Sequence, residues 1–208
     1  MNQLSQGDRR LIIGISGASG VIYGVRLLEL LRNAGVETHL VLTKTAEVTF
    51  AHETNLKIAD VKALADVCHR VDDMAAPTSS GSFKTAGMIV APCSVRSMSE
   101  IASGVTTTLL TRSADVVLKE RRKLVLMVRE TPLHAGHLRS MTALAEMGAI
   151  IAPPVPAFYS RPASLSDVID HSLGRVLDLF DLDIGLVNRW GEEQPPRKTT
   201  TRGRGKST

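Results

Sequence analysis

The chain is poor in several things at once. It has two cysteines, Cys68 and Cys93, too few for a disulfide framework or a structural zinc site. Phe, Tyr and Trp together make up 3% of the residues. Its core must therefore come from Val, Ile, Leu and Ala, the residues that fill parallel strands buried on both faces. No apolar run approaches the roughly 18 residues that span a bilayer, and MNQLSQGDRR lacks the apolar stretch of a secretory signal. The cytoplasm is the expected compartment, with neither a nucleic acid nor stable membrane insertion expected.

The basic balance is local. Net charge is +4, yet Arg197, Lys198, Arg202, Arg204 and Lys206 all lie beyond Gln194, and without these five the rest of the chain stands at −1. A Gly/Pro/Thr-rich segment of this kind buries no apolar surface. Residues 192–208 are thus expected to be a disordered basic tail, with contact to RNA or anionic lipid as the alternative. Residues 1–9 read as an N-terminal extension. Residues 10–191 read as one domain, long enough for a sizeable core.

Within that domain, short apolar runs alternate with segments of helical periodicity. Strands are expected at 10–15, 37–42, 66–71, 87–91, 124–128 and 149–152, and helices after Gly20 and over 45–54, 95–103, 107–121, 134–147 and 165–182. Val21, Val25, Leu28 and Leu31 mark the buried side of the first helix, which Asn33-Ala-Gly35 closes. Such alternation implies an α/β domain with a mainly parallel sheet covered on both faces.

Ligands bind where strands of such sheets end, and three strand ends here carry chemistry. The first is Gly14-Ile-Ser-Gly17-Ala18-Ser19-Gly20, where backbone N–H groups and a helix dipole can hold a phosphate. It is neither a Walker loop nor G-x-G-x-x-G, and the second strand ends in Thr43-Lys44 rather than an acid for a ribose. A mononucleotide or a flavin suits it better than NAD. The second is Pro92-Cys93-Ser94, with Ser94 an N-cap and Ser94 and Ser97 as donors; Cys93 reads as a small buried residue.

The third is RSADVVLKERRKLVLMVRE at 112–130. Arg112, Asp115 and Lys119 share one helix face, either as a solvated ion-pair stripe or as an anion site. Arg129-Glu130 ends the buried strand that follows. A carboxyl there, sharing a proton with a bound phosphate, would act as its acid while cations offset the leaving charge. His134 and His137 have the i, i+3 spacing of a metal pair but no third ligand, so capping or surface roles are expected. Ser164 and Asp167 read as a capping box. Arg175 is either a snorkelling residue or an anion ligand, and Trp190 either a hydrophobic plug or a lid.

With these pieces in view, the chain resembles the UbiX family of flavin prenyltransferases. The resemblance runs from about Arg10 to Gly191 and is carried by GISGASGVIYG, ETN, SSGSF, APCS, TRSADVVLKERR, VRETPLH, PPVPAFYSRP and RWGE. It implies a Rossmann-like three-layer α/β/α flavoprotein fold assembled as a dodecamer, with flavin near subunit interfaces. The implied reaction joins the dimethylallyl group of dimethylallyl phosphate to N5 and C6 of reduced FMN, without a metal. The product, prenylated FMN, serves UbiD-type decarboxylases, including one of ubiquinone biosynthesis. By motif, Gly17, Ala18, Ser19, Thr43, Ser94, Val95, Arg96, Ser97 and Arg129 would contact FMN. Tyr159 and Arg175 would bind dimethylallyl phosphate, assisted by Lys119 and Arg112. Glu130 would assist phosphate departure, Ser19 would relay a proton, and Glu53 would support it from another subunit. Some family members carry a tryptophan where this chain has Met74, and the basic tail lies outside the resemblance. Alternative classes are an FMN-dependent cysteine-type decarboxylase, whose PxMNxxMW-type loop is missing, a hydroxybenzoate decarboxylase, and a non-catalytic FMN carrier.

Overall fold

The computed structural model describes residues 9–187 and Arg189. The roles expected for Trp190 and for the terminal tail fall outside these residues. Six strands form one sheet in the order β3-β2-β1-β4-β5-β6, where β1 is Arg10–Ile15, β2 Glu37–Leu42, β3 Val67–His69, β4 Gly87–Cys93, β5 Lys123–Val128 and β6 Ile150–Ile151. Every pairing is parallel. Helices α1 (Ile22–Asn33), α2 (Lys44–Glu53), α3 (Ile58–Lys62), α4 (Val95–Ala102), α5 (Leu109–Lys119), α6 (Ala135–Glu146) and α7 (Leu165–Asp178) connect or close the strands. This is the parallel α/β sheet that the alternation implies and the three-layer Rossmann-like fold that the resemblance implies.

Period-two alternation along the strands sorts the core into two halves. Leu11, Ile13 and Ile15 of β1, Ile89 and Ala91 of β4, and Val125 and Met127 of β5 pack against Val25, Leu28 and Leu31 of α1, Phe50 of α2 and Leu173 and Leu177 of α7. Their neighbours Ile12, Met88, Val90, Leu124, Leu126 and Val128 turn the other way, onto Met98 of α4, Leu110, Ala114 and Val117 of α5 and Leu144 of α6. With both faces covered, the central strands are apolar throughout, and all seven residues of β4 are buried.

Local rules placed most helix ends. Thr43 caps α2 by accepting the Ala46 N–H, and Ser164 and Asp167 form the expected capping box on α7. His134 is an N-cap, its Nδ1 accepting the Gly136 N–H at 3.0 Å. Several elements differ from expectation: β3 covers Val67–His69 of 66–71, β6 Ile150–Ile151 of 149–152, and α7 ends at Asp178 rather than at 182. Helix α3 has five residues, too short to display a period, and β4 runs on to Cys93 through a register shift that periodicity alone does not announce.

Candidate active site

The chain builds β1, β2 and β3 outward in one direction and then returns to place β4 on the other side of β1. At such a reversal the loops leaving neighbouring strands separate and open a crevice at the carboxyl ends. The turn after β1, the start of α2 after β2 and the start of α4 after β4 all meet there. A cavity of about 650 Å³ is lined by Gly17, Ala18, Ser19, Thr45, Ser94, Val95, Arg96, Val128, Arg129, Glu130, Thr131 and the wall Pro153, Pro154, Val155 and Pro156. A second, of about 260 Å³, shares Gly17, Thr45, Ser94 and Arg96 and adds Thr43, Lys44, Asp72, Ser97, Glu100, Thr107 and Thr108 among its walls.

The glycine turn is shaped by contact. A Cβ on Gly17 would sit 2.5 Å from Cβ of Thr45, so only glycine lets the turn lie against the start of α2. Gly20 has φ of +96°, which L side chains rarely adopt. The Gly20 and Val21 N–H groups, at the entry to α1, donate to the Glu53 carboxylate at 2.8 and 3.1 Å. This alters two expectations. The anion at the start of α1 is a side chain of the protein, and Glu53 reaches the turn from its own chain rather than from another subunit. Burial acts to raise the Glu53 pKa, but hydrogen bonds from the Ser19 hydroxyl and from the Gly20 and Val21 N–H groups, with the Arg129 charge, hold it below the usual carboxylate value.

Anion-binding capacity lies instead at α2 and α4. Ser94 caps α4 by accepting the Ser97 N–H at 3.2 Å. Val95 and Arg96, the first residues of that helix, line the large cavity; Lys44 and Thr45, the first of α2, line the small one. Two helix N-termini, one lysine and several hydroxyls thus converge on one pocket. Arg129 is oriented by two contacts: its Nε donates to the Ser19 carbonyl at 3.1 Å and its backbone N–H to the Cys93 carbonyl at 3.1 Å. Glu130 Oε1 accepts the Thr131 N–H at 3.0 Å while the side chain faces the large cavity's rim. Cys93 is fully buried, and burial pushes its thiol up to about 12, so it is no nucleophile.

The structure gathers Gly17, Ala18, Ser19, Thr43, Ser94, Val95, Arg96, Ser97, Arg129 and Glu130 around this crevice. It does not bring the other candidates there. Arg112 Nη1 pairs with Asp115 at 2.7 Å and its Nε donates to the Ser79 carbonyl. Lys119 pairs with Glu120 at 2.6 Å. Arg175 pairs with Asp178 at 2.8 Å, and the Tyr159 hydroxyl lies 3.3 Å from His171 Nε2. Within one chain the cationic helix is the ion-pair stripe of the plainer reading. Met74 also lies outside both cavities, 43% exposed. Sequence reasoning missed the Pro153–Pro156 wall, Lys44 and Thr45 as lining residues; the prolines after a strand and the lysine beside Thr43 were the available signals. Among the described residues, no group of three or more His, Cys, Asp or Glu is placed to hold a metal, and no helix is long and apolar enough to cross a membrane.

Comparison with known proteins agrees with this geometry. The Flavoprotein family profile matches residues 2–178. The flavin prenyltransferase UbiX of Escherichia coli O157:H7 is 58% identical over 185 residues, covering 88% of this chain and 98% of that protein. The chain belongs to the UbiX family. A family member solved in complex with FMN and dimethylallyl pyrophosphate superposes with a TM-score of 0.87 at 52% identity, covering 89% of this chain and 99% of that one. A dodecameric FMN-dependent UbiX-like decarboxylase from E. coli O157:H7 gives a TM-score of 0.85 at 49% identity, covering 88% and 100%. These solved structures thus share the fold of this chain over nearly nine-tenths of its length.

Proposed function

We propose that this protein is a flavin prenyltransferase that transfers the dimethylallyl group of dimethylallyl phosphate to reduced FMN, at N5 and C6. The observation that carries the reading is the pair of joined cavities. One presents two helix N-termini, Lys44 and hydroxyls to an anion; the other sets Arg129 and Glu130 opposite a wall of prolines and valine. That donor set fits FMN, with its phosphate held by Thr43, Ser94, Ser97 and the starts of α2 and α4, and its ring against Val95, Val128 and the proline wall. Reduced FMN, when bound, supplies the electron-rich carbon and nitrogen that accept the prenyl group.

The residues of this chain do the rest. Arg129 holds the turn that carries Ser19. Glu130 donates a proton to the departing phosphate. Ser19 relays a proton from the product side, and the Glu53 carboxylate orients it. The proline and valine wall excludes water from an allylic centre that water would otherwise capture.

Arg112, Lys119, Tyr159 and Arg175 lie outside both cavities of a single chain, so their clamp on the substrate phosphate comes from neighbouring copies in a homo-oligomer. The dodecameric state of the E. coli relative supports that arrangement. We assign the product, prenylated FMN, to a UbiD-type decarboxylase and the enzyme to the cytoplasm. The decarboxylase name of that solved relative stands beside a flavin prenyltransferase from the same organism, and the cysteine decarboxylases among the solved structures, 19% and 14% identical, share only the fold. The test is direct. Protein with FMN, reductant and dimethylallyl phosphate is expected to yield a flavin heavier by one prenyl unit in mass spectrometry; unaltered FMN rejects the reading.

A further inference from the structure

Ser16 is 1% exposed, directly follows β1 within the glycine turn, and has no part in the chemistry described above. Its side chain is nevertheless fully engaged. The hydroxyl donates to the Pro92 carbonyl at 2.9 Å and accepts the Ser94 N–H at 2.7 Å. The Ser16 N–H also donates to the Pro92 carbonyl, at 3.2 Å. A serine hydroxyl has one proton to donate and lone pairs to accept, and here they go to backbone at the end of β4 and at the N-cap of α4, 76 and 78 residues further on. The β1–β4 register ends at Gly14 and Val90, so beyond it the Ser16 hydroxyl is the side-chain link from the β1 side to Ser94.

We infer that Ser16 is a positioning residue that sets the Ser94 turn against the glycine turn and thereby makes the site select phosphorylated flavin. The inference rests on the reading that the anion pocket takes the FMN phosphate. Ser94 is the residue whose N–H is held by Ser16 and whose hydroxyl caps α4. When the Ser16 hydroxyl is removed, the Ser94 N–H loses its partner and the turn shifts to recover one. The start of α4 then no longer meets the start of α2 at the spacing one phosphate can bridge. The ring, held by the proline wall and Val128, is not served by this link.

The experiment compares FMN with riboflavin, which lacks only the phosphate, by titrating each into full-length wild-type and Ser16→Ala protein. Ser16→Ala is expected to weaken FMN about tenfold while changing riboflavin by less than about twofold, so the FMN preference falls. In turnover, KM for FMN rises while kcat at saturating FMN is retained. An unchanged FMN-to-riboflavin ratio, or equal losses for both, overturns the inference and leaves Ser16 as a structural residue. A wild-type protein without preference for FMN would instead bring down the phosphate-site reading itself. Should Ser16→Ala not fold, Ser16→Cys, which keeps a side-chain atom there but weakens both bonds, is read by the same ratio.

Discussion

The Glu53 carboxylate accepts the Gly20 N–H at 2.8 Å across 33 residues of chain, tying the last turn of α2 to the first turn of α1. One acidic side chain therefore fixes the segment that carries Ser19. It does so from within the same chain, so the proposed Ser19–Glu53 dyad needs no second copy for this contact. Glu53→Gln keeps an acceptor oxygen but removes the charge that Gly20, Val21 and Arg129 favour. FMN binding is expected to survive, and turnover to fall at least tenfold, toward the lower range of lost acid–base assistance. Stopped-flow product formation checks this, and wild-type rates would remove Glu53 from the dyad.

The same group gives a pH prediction with a definite sign. Its pKa in the folded protein is lowered below 4.5. The stabilisation it provides is therefore present above its unfolded value and lost as pH falls through the folded one. The difference in Tm between wild type and Glu53→Gln should be constant near neutrality and shrink below about pH 4.5. A difference that grows on acidification contradicts the assignment.

Glu130 faces the large cavity and is held by the Thr131 N–H. Glu130→Gln preserves that shape and that contact but has no proton to give. FMN affinity should stay within about twofold while turnover drops roughly a hundredfold or more. Retention of wild-type turnover would exclude the acid role.

A site shared between copies makes a prediction that a self-contained site does not. Arg112→Ala and Glu130→Gln proteins should each be nearly inactive, yet oligomers assembled from both should regain measurable prenylation. Some sites in the mixture draw Arg112 from one copy and Glu130 from another, both intact. Mixed oligomers verified by mass and still inactive would place Arg112 outside the site.

Phe50 is fully buried on α2, on the face of the sheet opposite the α4, α5 and α6 layer. Phe50→Ala should cost about 3–5 kcal/mol, read as a shifted denaturant midpoint. Because α2 carries Glu53 at one end and the Thr43 cap at the other, FMN affinity should fall along with stability.

Much of this was legible in the chain. Strand and helix alternation, the Ser94 cap and the Ser164–Asp167 box rest on contacts a few residues apart, which a sequence displays directly. Cys93 was legible too, since an apolar run leads straight into it. The engagement of the glycine turn was not: its composition suits a phosphate, but Glu53, 33 residues from Gly20, accepts the Gly20 and Val21 N–H groups.

By itself, then, the sequence determined a doubly covered parallel sheet, its helix ends and the residues found at the strand termini. Period and capping are local physics. Only the tertiary structure decided which of those termini face one another. With β1 seated between β2 and β4, the starts of α2 and α4 converge beside Gly17, and Arg112, Lys119 and Arg175 turn to acids of their own chain. Strand order is set by long-range pairing, and no spacing along the chain encodes it.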